Sequence, residues 1–436
     1  MKKTSPKKEI WDVIVIGGGP AGLMAATTAG KHGAHVLVIE KNDIMGKKLL
    51  ISGGGRCNMT NAEPDERKLL ANYGEKSKFL FSPFAQFGVA ETIRFFEHLG
   101  VKTKVEDRFR VFPVSDKSSD VLAALVKSAE ENGVTFRVGV GVKKIQKGKG
   151  TIASVILENG EEIHATSYIL GTGGRSHPET GSTGDGFTWL AELGHTIVAA
   201  NPSLVPLVTK EKWVADLSGI TLSDASATIY YGEEKIKDKK ASGKGRILFT
   251  HDGLSGPTIL NMSKMVSDLL EGQEYGPKEE VKIAIDFFPG VGLDVLKERM
   301  IKLFDENAKK KVKNLVIPEV PEKVYLKILS LLSIDGEWFA GELRREERYA
   351  IFGMCKKFVL TIEKLHGYDK AIISSGGVDL PEVDFKTMGS KLYKNLFLIG
   401  DILDFDRPSG GFSLQLCWTT GHVAGKAAAQ HAVRGV

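Results

Sequence analysis

Cysteine is scarce in this sequence: three occur among 436 residues, at Cys57, Cys355 and Cys417. No two of them form a CxxC pair, which excludes a redox dithiol adjacent in sequence and makes a zinc cluster unexpected. So few cysteines are also typical of a reducing compartment. We therefore expect a cytoplasmic protein without a metal centre.

Long hydrophobic runs are also absent. No apolar stretch is long enough to cross a bilayer, and the lysine-rich start (Lys2, Lys3, Lys7 and Lys8) leads directly into the first predicted strand without the apolar region of a signal peptide. The other basic residues are spread along the chain, whose net charge is +5. A dense basic stripe with interleaved aromatic residues, the pattern of an RNA-binding protein, is not found. We expect neither a membrane nor a nucleic acid as partner.

Glycine, in contrast, is abundant. The 49 glycines cluster in a few loops, a distribution typical of proteins whose backbone approaches a large ligand. Hydrophobic residues make up 42% and charged residues 26% of the chain, which is the composition of a folded protein. At this length, two or three domains are expected.

A strand, a glycine turn and a helix are predicted near the start of the chain. Residues Val13–Ile16 predict a buried parallel strand, and Gly17, Gly19 and Gly22 follow with GxGxxG spacing. In this motif the first glycine permits the turn, the second lets a pyrophosphate approach the backbone, and the third lets the next helix pack against the strand. The predicted helix, Ala21–His32, would point its first N–H groups at the phosphates. The motif predicts a dinucleotide site.

An acidic residue supports this interpretation. Glu40 follows the predicted strand Val36–Ile39 and stands 18 residues after Gly22. A carboxylate about 20 residues beyond the glycine turn binds the adenosine ribose in such sites. Because an acid favours an unphosphorylated ribose, FAD or NAD fits better than NADP.

A second glycine turn lacks part of the motif. Gly171 and Gly173 are followed by Ser176 where the third glycine would stand. A separate domain for NAD(P)H is therefore not expected, although a transient reaction with NAD(P)H stays open.

A third glycine turn lies near the end of the chain. Leu396–Ile399 predicts a strand that ends on Gly400 and Asp401, and a long helix is predicted over Gly411–Arg434. An acid at a strand end can accept a hydrogen bond from a ribityl or ribose hydroxyl, and a helix N-terminus can stabilise negative charge on a reduced flavin. Since β-rich and helical patterns intervene, we expect one dinucleotide domain interrupted by an insertion.

With these motifs the chain resembles the YhiN/BaiN family of bacterial flavoproteins, some of them described as aminoacetone-oxidase-like and others as NAD(P)/FAD-dependent. The resemblance rests on Gly17–Gly22, Ser52–Asn61, Gly171–Gly174, Gly181–Gly186, Gly400–Asp401 and Ser409–Phe412. It implies an α/β fold: a glutathione-reductase-type Rossmann domain that binds FAD and is interrupted by a β-barrel-like and a helical insertion.

The expected domains are therefore three. Residues 1–194 plus 367–436 would form the FAD-binding domain, residues 195–290 the β-rich insertion and residues 291–357 the helical insertion. Whether residues 358–366 belong to the β-rich insertion is left open.

The motifs and the resemblance together imply a set of cofactor contacts. Val142, for example, would touch adenine from the end of a predicted strand, Val134–Val142. The full set is Gly17, Gly19, Pro20, Ala21, Gly22, Glu40, Lys41, Lys48, Ser52, Gly53, Gly54, Arg56, Cys57, Asn58, Val142, Thr172, Gly173, Asp401, Gly411, Phe412, Ser413 and Leu414.

Catalytic residues are not identified by any motif. Arg407 is the candidate on the substrate side, because it precedes the turn at Gly411. Arg56 could lower the pKa of the adjacent thiol of Cys57, although packing or flavin contact explains Cys57 equally. His177, in a glycine-rich loop, could move protons and could equally be structural.

The predicted function is that of an FAD-dependent oxidoreductase that transfers hydride between flavin N5 and a small organic substrate. Amine oxidation and reduction of an activated C=C bond both fit the sequence. A flavin-containing RNA-modifying or regulatory protein is the alternative from another class. The substrate, the electron donor and the oligomeric state are left open.

Overall fold

A computed structural model describes residues 10–272 and 279–434. The lysine-rich start of the chain lies outside the described residues. The chain divides into two compact units: the residues up to Pro202 together with those from Ile372, and the contiguous segment Ser203–Ala371.

The strands and α-helices of both units are numbered here in chain order. The strands are β1 (Ile10–Ile16), β2 (Val36–Ile39), β3 (Thr60–Asn61), β4 (Thr103–Glu106), β5 (Arg110–Pro113), β6 (Thr135–Arg137), β7 (Val142–Lys147), β8 (Ile152–Leu157), β9 (Glu162–Leu170), β10 (Ile197–Ser203), β11 (Leu207–Thr209), β12 (Thr221–Tyr231), β13 (Glu234–Lys235), β14 (Ser242–Phe249), β15 (Gly253–Ser255), β16 (Val281–Asp286), β17 (Phe358–Leu365), β18 (Ile373–Val378), β19 (Val383–Asp384), β20 (Gly389–Ser390) and β21 (Leu396–Leu398). The α-helices are α1 (Pro20–Lys31), α2 (Lys47–Ile51), α3 (Glu66–Ala71), α4 (Phe81–Gln86), α5 (Val89–His98), α6 (Ser118–Glu131), α7 (Asp185–Glu192), α8 (Pro257–Glu271), α9 (Leu293–Glu306), α10 (Glu322–Leu331), α11 (Arg345–Lys356) and α12 (Phe412–Arg434).

The first unit is built on a sheet in which β21, β9, β1, β2 and β6 are neighbours and run parallel. The register pairs Ile16 of β1 with Ile39 of β2 and with Leu170 of β9. Val13–Ile16 of β1, all of β2 and β21, and the last four residues of β9 are buried, which explains the apolar runs in these segments. β6, at the edge of the sheet, is only partly buried. The residues just after β1, β2, β9 and β21 therefore meet at one edge of the sheet.

The end of the chain returns to this sheet. β21 pairs with β9 in parallel, so that Leu398 lies opposite Leu170. The closing helix α12 then packs against α1. A Cβ atom added to Gly421 would lie 2.4 Å from the carbonyl oxygen of Ala21, and one added to Gly425 would lie 2.3 Å from that of Ala25. The two helices thus touch backbone to backbone.

One predicted strand is wrong in its extent. The run Val134–Val142 is divided between β6, which ends at Arg137, and β7, which begins at Val142. Gly139 takes a left-handed backbone (φ +70°) and donates its N–H to the carbonyl of Asn42 at 2.7 Å. Because the backbone turns there, it leaves the sheet, and Val142 stands at the beginning of a strand instead of at the end.

The second unit contains a closed barrel. Six strands, in the order β12, β14, β15, β11, β17 and β16, form a ring that the pairing of β16 with β12 completes. This confirms the predicted β-barrel-like insertion. Helices α8 to α11 belong to the same unit, and barrel and helices share one hydrophobic core. Among the described residues, no helix has both the length and the apolar character that a membrane crossing requires.

The backbone contact between α1 and α12 leads to a prediction. Changing Gly425 to Ala should destabilise the first unit by about 1–3 kcal/mol, because the methyl group has to displace the backbone of α1. Gly353, in α11, is the matched control: it is exposed, and a Cβ atom there meets nothing within 4 Å. Gly353→Ala should therefore stabilise its own unit by about 0.5–1 kcal/mol through helix propensity.

Urea unfolding of the two variants and the wild type measures both effects. Equal stability of Gly425→Ala and the wild type would show that the two helices do not approach as closely as described.

Candidate functional site

A cavity opens in the first unit at the edge where the parallel strands end. Its lining includes fourteen of the predicted cofactor contacts: Gly17, Gly19, Pro20, Ala21, Glu40, Lys48, Ser52, Gly53, Gly54, Thr172, Gly173, Asp401, Ser413 and Leu414. The fold thus brings together motifs that lie almost 400 residues apart in the sequence.

Some residues of the lining were not predicted from the sequence. Asn42, Gly46, Thr180, Ser182 and Cys417 line the cavity beside motif residues. Ile372 and Ile373 also line it, and no local pattern distinguishes them from ordinary residues at the start of a strand.

The three glycines of the first turn have three different environments. A Cβ atom on Gly22 would lie 1.9 Å from the carbonyl oxygen of Gly17, and a Cβ atom on Gly17 would lie 2.5 Å from that of Gly171. A Cβ atom on Gly19 meets nothing within 4 Å, although Gly19 lines the cavity. Gly17 and Gly22 therefore serve close packing, whereas Gly19 leaves open the space that a pyrophosphate needs.

Helix α1 begins at this turn without a side-chain cap. Its N-cap residue is Gly19, and Pro20 occupies the first turn. The first backbone N–H groups of a helix have no intrahelical acceptor, and they bind anions well. The turn and the helix therefore fit the pyrophosphate of a dinucleotide.

Glu40 is held at the end of β2 by the neighbouring backbone. Its Oε2 accepts a hydrogen bond from Gly18 N at 2.7 Å, and its Oε1 accepts from Asn42 N at 2.9 Å and Asn42 Nδ2 at 2.6 Å. A carboxylate accepts about four hydrogen bonds, so capacity remains for a hydroxyl in the cavity. This arrangement fits the ribose contact predicted for Glu40.

The two predicted lysines differ in their partners. Lys41 donates to Asp185 at 2.7 Å and to Thr183 at 2.6 Å, and it lines an adjoining hollow together with Val142. Lys48 lines the main cavity, where its Nζ donates to the carbonyl oxygen of Ser176 at 3.1 Å. Burial lowers the pKa of Lys48, while Asp401, 4.0 Å away, acts in the opposite direction. Lys48 is therefore the better candidate for a phosphate contact.

Arg56 does not line the cavity. Its Nε and Nη2 donate to Asp116 at 2.8 and 2.6 Å, its Nη1 donates to Glu106 at 3.2 Å, and its guanidinium lies 4.1 Å from the centre of the Phe112 ring. These contacts anchor the glycine loop Ser52–Gly55 to β4 and β5. The geometry favours a positioning role for Arg56.

Cys57 and Asn58 follow the glycine loop in the sequence and do not line the cavity. Cys57 is fully buried, and burial raises the pKa of its thiol to about 12. The neighbouring Arg56 therefore does not produce the low thiol pKa considered above. Asn58, with its amide oriented to satisfy its neighbours, accepts from Gly411 N at 3.0 Å and donates to Thr60 O at 3.2 Å. It thereby joins the segment after the glycine loop to the turn before α12.

Arg407 is buried, and its donors point at protein acceptors. Its Nη2 pairs with Asp401, its Nη1 donates to Phe405 O at 2.8 Å, and its Nε donates to Ser413 Oγ at 3.0 Å. Arg407 is not part of the cavity lining, whereas Asp401 and Ser413 are. It places a fixed positive charge next to two lining residues and is not itself positioned to clamp a substrate.

The first turn of α12 faces the cavity. The first intrahelical bond runs from Gln415 N to Gly411 O at 3.1 Å, so the amides of Phe412, Ser413 and Leu414 precede it and have no intrahelical acceptor. Ser413 and Leu414 line the cavity. This 23-residue helix therefore directs its positive end and its first amides at the site.

His177 lies at the cavity in a left-handed turn (φ 54°). Its Nδ1 is 2.8 Å from Oε1 of Glu179. A role in proton transfer stays a prediction.

The family model described as "HI0933-like protein Rossmann domain" matches residues 11–427. The chain belongs to this family. Membership confirms the predicted resemblance and, together with the fold, the Rossmann FAD-binding domain, FAD as cofactor and the oxidoreductase class.

Two relatives match almost from end to end. The 3-dehydro-bile acid Δ(4,6)-reductase of Clostridium scindens is 31% identical over 95% of this chain and 98% of its own. The ribosomal RNA dihydrouridine synthase of Escherichia coli K12 is 25% identical over 94% of this chain and 96% of its own. Because the second relative acts on RNA, the predicted exclusion of nucleic acid as a partner is not confirmed.

Solved structures support the fold. The 3-ketosteroid-Δ4-(5α)-dehydrogenase of Rhodococcus jostii RHA1 superposes with a TM-score of 0.54 at 14% identity, covering 98% of this chain and 99% of its own. At this identity, the similarity shows the fold alone.

The different environments of Gly17 and Gly19 lead to a paired prediction. Gly19→Val should fold as the wild type does but lose most of its FAD, because the side chain enters open cavity space. Gly17→Val should be destabilised even without FAD, because its side chain meets the backbone of Gly171 and its φ is +106°. The ratio of flavin to protein absorbance measures FAD, and urea unfolding of the FAD-free proteins measures stability. Wild-type FAD content in Gly19→Val would contradict the site.

The cysteines allow a second prediction. Burial raises the pKa of each of Cys57, Cys355 and Cys417 to about 12. At about pH 8 the native protein should therefore show almost no reaction with a colorimetric thiol reagent, since the thiolate is the reactive form. Three thiols should react after denaturation. Fast modification of one native thiol would instead indicate an activated cysteine.

Proposed function

We propose that this protein is an FAD-dependent reductase that saturates a carbon–carbon double bond conjugated to a carbonyl group. One observation carries the proposal. Two relatives that match almost the whole chain are a bile acid Δ(4,6)-reductase and a dihydrouridine synthase. Their substrates differ greatly in size, yet each name describes addition of hydrogen across a C=C bond next to a carbonyl.

The residues of the cavity support binding of the cofactor for this chemistry. The turn at Gly17–Gly19 and the N-terminus of α1 would hold the pyrophosphate, and Glu40 the adenosine ribose. Bound FAD supplies a carrier of hydride at N5. The amides of Ser413 and Leu414, at the positive end of α12, would stabilise negative charge on the pyrimidine edge of the reduced ring.

Arg407 supports the same end of the site. It pairs with Asp401 and donates to Ser413, and both of these residues line the cavity. NAD(P)H is the expected electron donor, reacting transiently: NAD(P)H, a proton and the conjugated substrate give NAD(P)⁺ and the saturated product.

Amine oxidation is the competing reaction, and one experiment separates the two. The purified protein is reduced anaerobically with NADPH or dithionite and then mixed with a 4,6-dien-3-one steroid, with a uridine-containing RNA oligonucleotide, or with a steroid whose only C=C bond is isolated. In parallel, aminoacetone is added to the oxidised protein.

The proposal predicts that a conjugated substrate restores the oxidised flavin spectrum without oxygen and that the isolated double bond does not. Aminoacetone should leave the oxidised spectrum unchanged. Bleaching by the amine, together with reduced flavin that no conjugated carbonyl reoxidises, would rule out the proposed reaction.

A further inference from the structure

An unusual turn connects β4 and β5. Arg108 and Phe109 both take left-handed backbone conformations, with φ of 59° and 57°. Bulky side chains rarely adopt this conformation, because Cβ crowds the backbone. The Phe109 side chain is also 45% exposed to solvent. The turn thus combines backbone strain with an exposed aromatic ring, and neither feature contributes to packing of the core.

Neighbouring residues hold the turn in place. The carbonyl oxygen of Phe109 accepts a hydrogen bond from Ala62 N at 2.7 Å, and that of Arg108 accepts from Asn61 Nδ2 at 3.0 Å. β5 pairs with β3, so that Arg110 lies opposite Asn61. Strained conformations of this kind persist only where the surroundings fix them, and they concentrate at functional sites.

The same asparagine connects the turn to the cavity. Asn61 is buried, and its Nδ2 donates both to Arg108 O and to Gly410 O, each at 3.0 Å. Gly410 stands two residues before α12. The preceding residue of β3, Thr60, packs so closely there that a Cβ atom on Gly411 would lie 2.3 Å from its carbonyl oxygen. The aromatic turn is therefore held, through Asn61, beside the residues that precede α12, the helix whose Ser413 and Leu414 line the cavity.

We propose that Phe109 is a substrate-contacting residue whose ring stacks on the flat, conjugated carbonyl segment of the substrate. The inference rests on the proposed reduction of a conjugated C=C bond. A steroid dienone and a uracil base both present such a segment, and aromatic side chains stack on flat unsaturated rings, with an offset, with little dependence on the identity of the ring. The left-handed backbone would then keep the half-exposed ring of Phe109 available for this contact.

The test measures binding in the oxidised holoprotein, where no turnover is needed. Isothermal titration calorimetry is performed with two probes, androsta-4,6-diene-3,17-dione and a single-stranded RNA oligonucleotide containing uridine. Phe109→Ala should weaken binding of at least one probe about tenfold or more, while Phe109→Trp retains affinity. Val105→Ala is the matched control, since Val105 is 58% exposed on β4 of the same small sheet; it should bind as the wild type does.

Phe109→Gly separates binding from folding. Glycine tolerates the left-handed conformation, so this variant should keep wild-type Tm and FAD content and still bind the probe at least about tenfold more weakly. The probe that binds identifies the source of the ring, steroid or RNA.

Two results would overturn the proposal: wild-type affinity in Phe109→Ala, or a wild-type protein that binds neither probe. Binding that depends on Phe109 without reduction of the bound ring would support the stacking role and count against the proposed reaction alone.

Discussion

The parallel pairing of β21 with β9 is the interaction on which the whole site depends. It brings Asp401 and the start of α12 to the sheet edge that already carries Gly17 and Glu40. The backbone contact of α12 with α1, through Gly421 and Gly425, then fixes the direction of the helix. Without this pairing, the pyrophosphate turn would remain, but the positive helix end would have no defined place beside it.

The sequence predicted those parts of the site whose chemistry is local. Gly17, Gly19 and Gly22 were identified because each glycine has a separate steric reason within ten residues of chain. Glu40 was identified by its distance from the turn. The turn at Gly139, which separates β6 from β7, was not predicted, because an apolar run does not show where the backbone leaves a sheet. Ile372 and Ile373 enter the lining through tertiary structure alone.

Charged residues show the main limit of sequence reasoning here. Arg56 and Arg407 stand beside flavin motifs and were both considered as catalytic candidates, yet each is directed at carboxylates of the protein. A sequence alone does not show whether an arginine is paired. The carboxylates that Arg56 contacts lie 50 and 60 residues away in the sequence, and the one that Arg407 contacts lies six residues away. The left-handed backbone of Phe109 was not predicted either, because a phenylalanine in the sequence gives no sign of that conformation.

One unit is contiguous in the sequence and is inserted into the other, which is discontinuous. This arrangement affects the order in which the two units can fold during synthesis. Ser203–Ala371 is complete before the ribosome reaches the last strands, so the barrel has all its partners early. The first unit must wait for β21 and α12 with an unfinished sheet edge, and such long-range closure is slow. The dinucleotide can therefore be captured only after β21 and α12 have been synthesised, and a chain truncated before β21 should accumulate as a folded barrel attached to an unfinished, aggregation-prone sheet.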